Sequence, residues 1–510
     1  MKAFHGTRNE PGTSVPRRDD QHPLVVLRSS AGAALIGTTV LASSVAFFDA
    51  SVVNVAVPAI ARDLQAGVVG VQWVVTGYLL TAASLLLLSG ALIDHFGRRR
   101  VLVAGLSVML AASLLCAVAP TTGTLIAARL VQGAGGALVV PSSLALLNGT
   151  LRVADRARGI GVWAGLATLG MTVGPYAGGW LVDQASWRYL FLLNFPLVLA
   201  ALWVLRHVPE VGSSGRPLDV DVAGATLTAV GLGGVIYALT AGPSMGWLSV
   251  PVLVSGVVGL ACLALLVPAE RRQRNPMLRL SLFGSRQFVA VNTTTVLQYG
   301  ALAASGYLLV LQCQLQLGYS AAAAGAVLIP ASAVFLLLSP VVGGLVSRVG
   351  PRRLMVGGSL ALAGALVWLS MLAPGDSFIG GVLPGALAWG LGLGLIVAPL
   401  TASVLAAVSD DDLGEASAIN DAAARVGGLL TVALVPALIG AAGGELGAAL
   451  SGGYRPAMLV MAGLSVGAAV VSGLFVTDSR TAVPQLPPAP LIHGCALPLR
   501  EPAGTSPERP

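Results

Sequence analysis

Long apolar segments separated by short polar loops make up most of the chain. Each has close to the roughly 20 residues that an α-helix needs to cross the hydrocarbon core of a bilayer. Together they predict an all-α integral membrane protein with 14 transmembrane helices. The predicted segments lie near residues 33–57, 69–92, 100–119, 124–147, 159–182, 188–206, 221–241, 247–268, 287–313, 322–346, 353–373, 379–407, 416–442 and 455–476.

The sequence also contains an internal repeat. Residues 90–100 read GALIDHFGRRR and residues 343–353 read GGLVSRVGPRR, so that Gly97 aligns with Gly350. The two copies follow the second and the tenth segment, an offset that predicts two bundles of six helices with two helices inserted between them, and transporters are commonly built from such repeats. The predicted organisation is a disordered tail at 1–30, bundles at 31–208 and 271–476, inserted helices at 209–270 and a proline-rich disordered tail at 477–510.

The basic residues predict which way the helices run. Of the 29 lysines and arginines, 24 fall in the tails and the alternate loops on one side of the predicted membrane. The other side has only Arg62, Arg188 and Arg455. Because loops rich in arginine and lysine stay in the cytoplasm, both termini are predicted to be cytoplasmic. One loop on that side, 408–415, is acidic, and we interpret it as a solvated turn whose acids suit the start of the next helix.

Composition argues against several other functions. Only 10% of the residues are charged, whereas a soluble protein has about 25%. Lys2 is the only lysine, so the chain lacks the phosphate-binding loop of an ATPase. The four cysteines lack metal-ligand spacing and the five histidines lie in tails or loops, so we predict no enzymatic activity, no cofactor and no metal site. Basic and aromatic residues are not interleaved as in a nucleic-acid site, and no nucleic-acid partner is predicted.

Six motifs follow one another along the chain. They are FDASVVNVAVP (48–58), QWVVTGYLL (72–80), GALIDHFGRRR (90–100), RLVQGAGGA (129–137), GMTVGPYAGG (170–179) and WRYLFLLNFP (187–196). In this order they resemble the fourteen-helix drug:proton antiporter branch of the major facilitator superfamily, over roughly residues 30–480. The resemblance implies an exporter in the cytoplasmic membrane that works as a monomer, and its partners would be a small organic substrate, protons and the lipid bilayer.

Two charged residues inside apolar segments are candidates for proton coupling. A charge at the centre of a membrane helix costs about 2.5–3.5 kcal/mol, so an acid there usually marks a pathway or a proton relay. Asp49 lies in the first predicted helix, where removal from water favours a protonated carboxyl group. Arg129 lies in the fourth, and the resemblance implies that it takes part in coupling. The alternatives are that Asp49 is held by hydrogen bonds for packing alone and that Arg129 binds backbone carbonyls.

Another acid and arginine, Asp421 and Arg425, are four residues apart on the thirteenth predicted helix. This spacing and order favour a mutually neutralising pair with a structural role.

The fifth predicted helix is rich in regularly spaced glycines. Gly170, Gly174 and Gly178 recur every four residues, a spacing that lets helices approach closely. Pro175 removes a backbone hydrogen bond and can bend the helix. The resemblance implies that these residues, with Gly179, form the antiporter motif, a bending seam used in alternating access. The alternative is ordinary tight packing.

The loop after the second helix carries a further motif. It consists of Gly90, Asp94, Gly97, Arg98 and Arg99. The resemblance implies that Asp94 is a latch that meets a helix N-terminus or an arginine when the cytoplasmic side is closed. A membrane anchor alone would account for the arginines but not for Asp94. The second copy has Ser347 at the position of Asp94, which predicts a weaker latch there.

The substrate pocket is expected near the midplane, between the two bundles. The predicted helices 9 to 12 contain no acid, which favours a neutral or weakly charged amphiphile over a multivalent cation. Eight polar or aromatic residues are candidates for lining the pocket. They are Asn54, Gln132, Trp163, Tyr176, Gln298, Tyr299, Tyr307 and Trp389.

We therefore expect a proton-driven exporter of amphiphilic drugs or antibiotics that confers resistance or self-resistance. A dedicated exporter of one endogenous metabolite stays open, as does an importer or uniporter on the same fold. A membrane sensor or scaffold is disfavoured, because the tails are too short and irregular to form a soluble domain.

Overall fold

The structure is a computed structural model in which the regular structure is helical, apart from an isolated β-bridge between Val25 and Leu151. The predicted tails lie almost entirely outside the described residues, as do Asp410 and Asp411 of the acidic loop. The structure describes residues 25–209, 221–273, 279–409, 412–441 and 446–478.

The described residues form 17 α-helices, with a 3₁₀ turn at Leu280–Gly284 and a π turn at Phe378–Val382. The helices are α1 Ser30–Asp63, α2 Val68–Ser84, α3 Leu86–Phe96, α4 Arg98–Ala117, α5 Thr122–Thr150, α6 Val153–Gln184, α7 Arg188–Leu192, α8 Asn194–Leu205, α9 Val222–Met245, α10 Val250–Arg272, α11 Arg286–Leu315, α12 Ala321–Ala326, α13 Ile329–Val349, α14 Pro351–Leu369, α15 Leu383–Leu405, α16 Leu413–Leu438 and α17 Leu446–Phe475.

Length and apolar composition identify the segments that could cross a membrane. In the described part of the chain, 12 helical spans meet both criteria, and α2 with α3 makes a thirteenth if this bent pair is one span. The 32-residue α6 is not among them. The chain is therefore an all-helical, multi-pass membrane protein, and the total of 14 spans stays a prediction.

The second predicted segment, 69–92, is divided in the structure. Its two helices, α2 and α3, meet at Leu85 with an angle of 56°. After the break, the Ser89 hydroxyl donates to the carbonyl of Leu86 in its own helix; before it, the Thr81 hydroxyl makes its shortest bond to the carbonyl of Leu130 in α5, at 2.8 Å. Hydroxyl groups that bond back to their own helix favour bending, which apolar patterning alone does not reveal.

The two ends of the molecule differ in charge, and we name them accordingly. The arginine-rich end holds the start of α1 and the turns at Gly97 and Gly350, and the arginine-poor end holds the α1–α2 and α4–α5 turns. The first half comprises α1 to α8 and the second half α11 to α17. Gly97 and Gly350 both have positive φ, 88° and 91°, so the two copies of the repeat turn through the same backbone conformation. Glycine is favoured there because it has no Cβ.

Buried apolar side chains join the two halves at the arginine-poor end. One core there runs from Phe191 in the first half to Leu308 in the second. At the arginine-rich end the described residues form separate cores, one around Leu106 in the first half and one around Phe288 in the second. The largest core therefore joins the halves at the arginine-poor end, whereas at the arginine-rich end each half has a core of its own.

The helix that follows the first half, α9, packs on both halves. Its Leu232 and Ile236 share a small buried core with Leu80 of α2 and Leu429 of α16. The neighbouring α10 leaves most of its apolar side chains exposed, as expected for a helix that faces lipid. As a result, α9 covers the seam between α2 and α16.

Candidate functional site

A buried ion pair lies in the first half. Nη1 of Arg129, in α5, is 2.8 Å from Oδ2 of Asp49, in α1. The side chains are 1% and 0% exposed, so both charges are removed from solvent. A buried charge needs an opposite charge and hydrogen bonds to be tolerated, and this pair supplies both. The sequence identified the two residues and left their contact open.

Three further side chains complete a hydrogen-bonded network around the pair. Nδ2 of Asn194 donates to the second carboxylate oxygen of Asp49 at 3.0 Å, and Nη1 of Arg129 also donates to Oε1 of Gln132 at 2.8 Å. The Ser113 hydroxyl accepts from Asn194 and from Gln132, at 2.9 and 2.8 Å. The network therefore joins α1, α4, α5 and α8.

The second helix contributes through its backbone and one ring. Nε of Arg129 donates to the carbonyl of Val74 at 3.1 Å, and its guanidinium lies 4.5 Å from the centre of the Tyr78 ring. A cation over an aromatic face is attracted by the ring quadrupole. Arg129 therefore has acceptors besides Asp49, whereas among the described residues the charge of Asp49 is balanced by Arg129.

This arrangement can respond to a proton. Protonation of Asp49 would remove the charge that balances Arg129, while Gln132 and the Val74 carbonyl would still accept from the guanidinium. Asn194 donates directly to the same carboxylate, and Ser113 is linked to it through its hydrogen bond with Asn194. A change in protonation at one group would therefore be felt by every helix that contributes to the network.

Sequence analysis missed Asn194 and Ser113. Asn194 lies in the quoted WRYLFLLNFP motif, and an amide in an apolar segment was the signal available, since such groups bond across helices. Ser113 gave no signal, because serine is common in membrane helices and often bonds to its own backbone.

The glycine-rich helix α6 has two packing faces. Gly170 and Gly174 face α1, where an added Cβ would lie 3.1 Å from Ser44 and 2.9 Å from Phe48. An added Cβ on Gly178 would overlap Val52, also in α1. This face therefore provides close packing within the first half.

The other face of α6 meets the second half. A Cβ on Gly179 would overlap the carbonyl of Ala321, and a Cβ on Gly325 would overlap the carbonyl of Pro175. The two backbones therefore touch at the arginine-poor end. Gly179 and Pro175 of the motif lie at the contact between halves, which a purely internal packing role would not require.

The loop motif at the arginine-rich end contacts the ends of two helices. The guanidinium of Arg98 fills the space beside Gly149, in the last turn of α5, and Nη1 of Arg99 donates to the carbonyl of Val208 at 3.0 Å. Cations are favoured at helix C-termini, where carbonyls are unpaired. Asp94 is exposed, and its predicted action as a latch stays a prediction.

The second copy of the loop is held differently. Ser347 donates weakly to its own helix, at 3.4 Å from the carbonyl of Gly344. Asp478, after α17, accepts from the backbone N–H of Arg352 at 3.1 Å and so caps the start of α14. A carboxylate at a helix N-terminus is favourable, so this contact serves the second copy from another part of the chain.

Comparison with known proteins identifies the family of the chain. The sequence profile of the Major Facilitator Superfamily matches residues 39–221, 220–432 and 293–507. The chain belongs to the major facilitator superfamily. The multidrug resistance protein Stp of Mycobacterium tuberculosis (strain CDC 1551 / Oshkosh) is 35% identical over 78% of this chain and 73% of its own length. The methylenomycin A resistance protein of Bacillus subtilis (strain 168) is 35% identical over 81% and 88%.

Solved structures show the same fold at low identity. The POT family transporter PepTSo superposes with a TM-score of 0.62 at 13% identity, covering 87% of this chain and 97% of that one. The predicted resemblance to the drug-efflux branch of the major facilitator superfamily is thus confirmed by the relatives, and the solved structure supports the fold alone.

The structure does not bring the eight predicted substrate residues of this superfamily member together. Gln132 is hydrogen-bonded to Arg129 and Ser113, and Trp163 donates to Ser43 within the first half at 3.1 Å. Gln298 accepts from Ser465 within the second half. The remaining five differ in exposure and location: Tyr307 and Trp389 lie in the core at the arginine-poor end, Tyr176 is 46% exposed, Tyr299 is half-buried, and Oδ1 of Asn54 has no hydrogen-bond partner among the described residues.

One predicted ion pair forms, and the acidic loop makes ion pairs that were not predicted. Nε of Arg425 is 3.0 Å from Oδ2 of Asp421, as the four-residue spacing predicts. In the acidic loop, Asp412 and Glu415 pair with Arg279, at 2.7 and 2.8 Å. Asp412 and Glu415 lie at the start of α16 as predicted, although the Asp412 side chain makes no capping hydrogen bond there. Their ion pairs with Arg279 hold the loop against the segment before α11.

Proposed function

We propose that this chain exports amphiphilic organic compounds, such as drugs or antibiotics, across the cytoplasmic membrane in exchange for protons. The observation that carries the proposal is the ion pair between Asp49 and Arg129, fully buried in a membrane helix bundle. Intramembrane carboxylates are costly and typically serve ion pathways or proton relays. The printed names of relatives, which describe multidrug, methylenomycin A and puromycin resistance, support the substrate class.

In this proposal a proton from outside neutralises Asp49 and leaves toward the cytoplasm as the ion pair forms again. Moving one charge through 100 mV is worth about 2.3 kcal/mol. That energy supports roughly a 50-fold concentration gradient of substrate if one charge moves per cycle. The contact between halves at the arginine-poor end corresponds to a state in which the substrate path is closed to the outside.

The proposal includes 14 membrane spans, cytoplasmic termini and a functional monomer. It counts α6 and the α2–α3 pair as spans, which is supported by the 32-residue length of α6 and its packing along α1. The arginine-rich end is then cytoplasmic, in line with the distribution of basic residues. Tags at the two termini should be digested by protease in inverted vesicles and protected in right-side-out vesicles.

The test is dye movement in inverted vesicles under an imposed proton gradient. A lipophilic fluorescent dye is followed with the unaltered protein, with Asp49→Asn and with the control Asp63→Asn, which changes an acid at the exposed end of the same helix. Gradient-dependent movement that is lost in Asp49→Asn and kept in Asp63→Asn is the expected result. Movement that survives Asp49→Asn would contradict proton coupling at this residue.

A narrow exporter of one metabolite is the second candidate. It is favoured by relatives named for single compounds, among them a cephamycin export protein of Amycolatopsis lactamdurans, 32% identical over 77% of this chain. A panel of antibiotics and dyes in the same vesicles separates the two, because a narrow exporter moves one chemical class and leaves the dyes behind.

A further inference from the structure

The start of α12 is capped from the other half of the molecule. The first N–H groups of a helix have no partner within the helix and need one from elsewhere. Here the two carboxylate oxygens of Asp183, in the last turns of α6, accept from the N–H of Ala321 at 3.0 Å and of Ala322 at 2.9 Å. The next N–H, that of Ala323, is capped within the second half by the Ser320 hydroxyl. The cap of one helix is thus divided between the two halves.

The Asp183 contact lies where the two halves touch. Gly179, one turn before Asp183 in α6, has its backbone against Ala321. Nearby, the side-chain amide of Gln314 in α11 donates to the carbonyl of Val55 in α1 at 3.1 Å. In the part of this contact that the structure describes, Asp183 is the carboxylate that bonds across the halves, and Gln314 is neutral.

Separation of the halves at this end would therefore break a specific set of bonds. When α6 moves away from α12, the N–H groups of Ala321 and Ala322 lose their acceptor, while Ser320 keeps its bond to Ala323. Hydrogen bonds to a charged group are stronger than neutral ones, and a carboxylate is also favoured by the positive end of the helix dipole. Asp183 stabilises the state that is closed at the arginine-poor end.

We propose that Asp183 is a positioning residue of the transport cycle that sets the fraction of protein molecules in the state closed at the arginine-poor end. The inference rests on the proposed function for its meaning in transport. The closure itself is a property of the protein that can be measured without any substrate. Removal of the carboxylate shifts the protein toward the state open at this end, and a longer carboxylate, Asp183→Glu, restores part of the closure.

Accessibility of the contact provides the test. Gln314→Cys, in a background whose natural cysteines are replaced by alanine, reports opening through its reaction with a charged thiol reagent that cannot cross membranes, added to right-side-out vesicles. We expect faster labelling with Asp183→Asn, partial return to the slow rate with Asp183→Glu, and an unchanged rate with Ser320→Ala. The last variant is the matched control, because it removes a cap from the same helix without touching the contact between halves.

Two results would overturn the inference. One is an equal labelling rate with and without Asp183→Asn, and the other is equal acceleration by Ser320→Ala, which would make the effect a general loosening of α12. Dye transport is then compared in the same variants, where Asp183→Asn is expected to change the maximal rate more than the apparent affinity. If the unaltered protein moves no dye, the proposed export of a broad range of amphiphilic compounds fails, whereas the labelling rates still decide the role of Asp183.

Discussion

The buried pair of Asp49 and Arg129 allows a prediction about stability that does not depend on transport. We consider Asp49→Asn, Arg129→Gln and the double variant. In Asp49→Asn the side chain keeps its shape but offers one acceptor oxygen where the carboxylate offers two, to Arg129 and to Asn194. The new amide N–H₂ either faces the guanidinium, which is also a donor, or requires the Asn194 amide to turn so that its Oδ1, which has no partner among the described residues, accepts. Arg129 is left as an uncompensated charge with 1% exposure.

The size of the effect follows from this burial. Removing one partner of a buried pair costs about 3–5 kcal/mol, because the other charge stays in a dry environment. Arg129→Gln should cost a similar amount, since it leaves the carboxylate with Asn194 and without its cation. The double variant has no buried charge, and neutral replacements of buried pairs are often tolerated. We therefore expect the double variant to be less destabilised than either single variant, a strongly non-additive cycle.

Thermal unfolding of the purified proteins in one detergent at pH 7 gives the order of stability, and denaturation in mixed micelles gives the free energies. Asp63→Asn serves as a control, because it breaks a half-exposed pair that contributes little. Additive effects in the double variant would refute the reasoning, as would single variants that unfold at the same temperature as the unaltered protein. Recovered stability without recovered transport in the double variant would separate the structural from the coupling role of the pair.

Three further expectations follow from other parts of the structure. Gly350→Ala should lower the unfolding temperature, since it strains a positive φ and its new Cβ crowds Asp478; an unchanged unfolding temperature would contradict this. Asn194→Leu should cost about 1–3 kcal/mol by denaturation in mixed micelles, because it leaves a carboxylate oxygen without a donor, and an unchanged midpoint would be evidence against the network. Hydrogen bonds from Arg152 and from the backbone N–H of Leu27, in the segment before α1, hold the pKa of Asp155 below its ordinary value of 3.8. The stabilising contribution of Asp155 is therefore complete at neutral pH and is lost as the pH falls through that lowered pKa. Protease sensitivity of the segment before α1 should rise in that acidic range and not between pH 5 and 7.

Much of the helical architecture was predictable because bilayer thickness imposes a length on every crossing segment. Hydrophobic runs located most of the long helices, and the aligned glycines at 97 and 350 located two turns with the same backbone conformation. The break of the second segment into α2 and α3 was not predictable in this way. The Ser89 hydroxyl bonds back to its own helix just after the break, and apolar patterning carries no information about such bonds.

The charged residues of the site were predictable from the sequence, whereas the side chains that each of them contacts were not. Asp49 and Arg129 stand out because charges are rare in apolar helices, whereas their contact depends on how α1 and α5 pack. The substrate candidates fared differently, since polar and aromatic side chains in membrane helices also bond within one bundle, as Gln132 does. The face of α6 that meets the second half required the structure, because Gly178 and Gly179 are neighbours in sequence and contact different halves.

The separation of the two buried charges along the chain has a consequence for biosynthesis. Asp49 precedes Arg129 by 80 residues. At about 5–20 residues per second of synthesis, α1 leaves the ribosome some 4–16 s before its partner has been made. During that time the carboxyl group has no guanidinium to balance it, and insertion of an isolated acid at mid-helix costs about 2.5–3.5 kcal/mol. The nascent first helix therefore carries an unpaired acid until α5 has been made, and the buried pair can then form before the second half of the chain is synthesised.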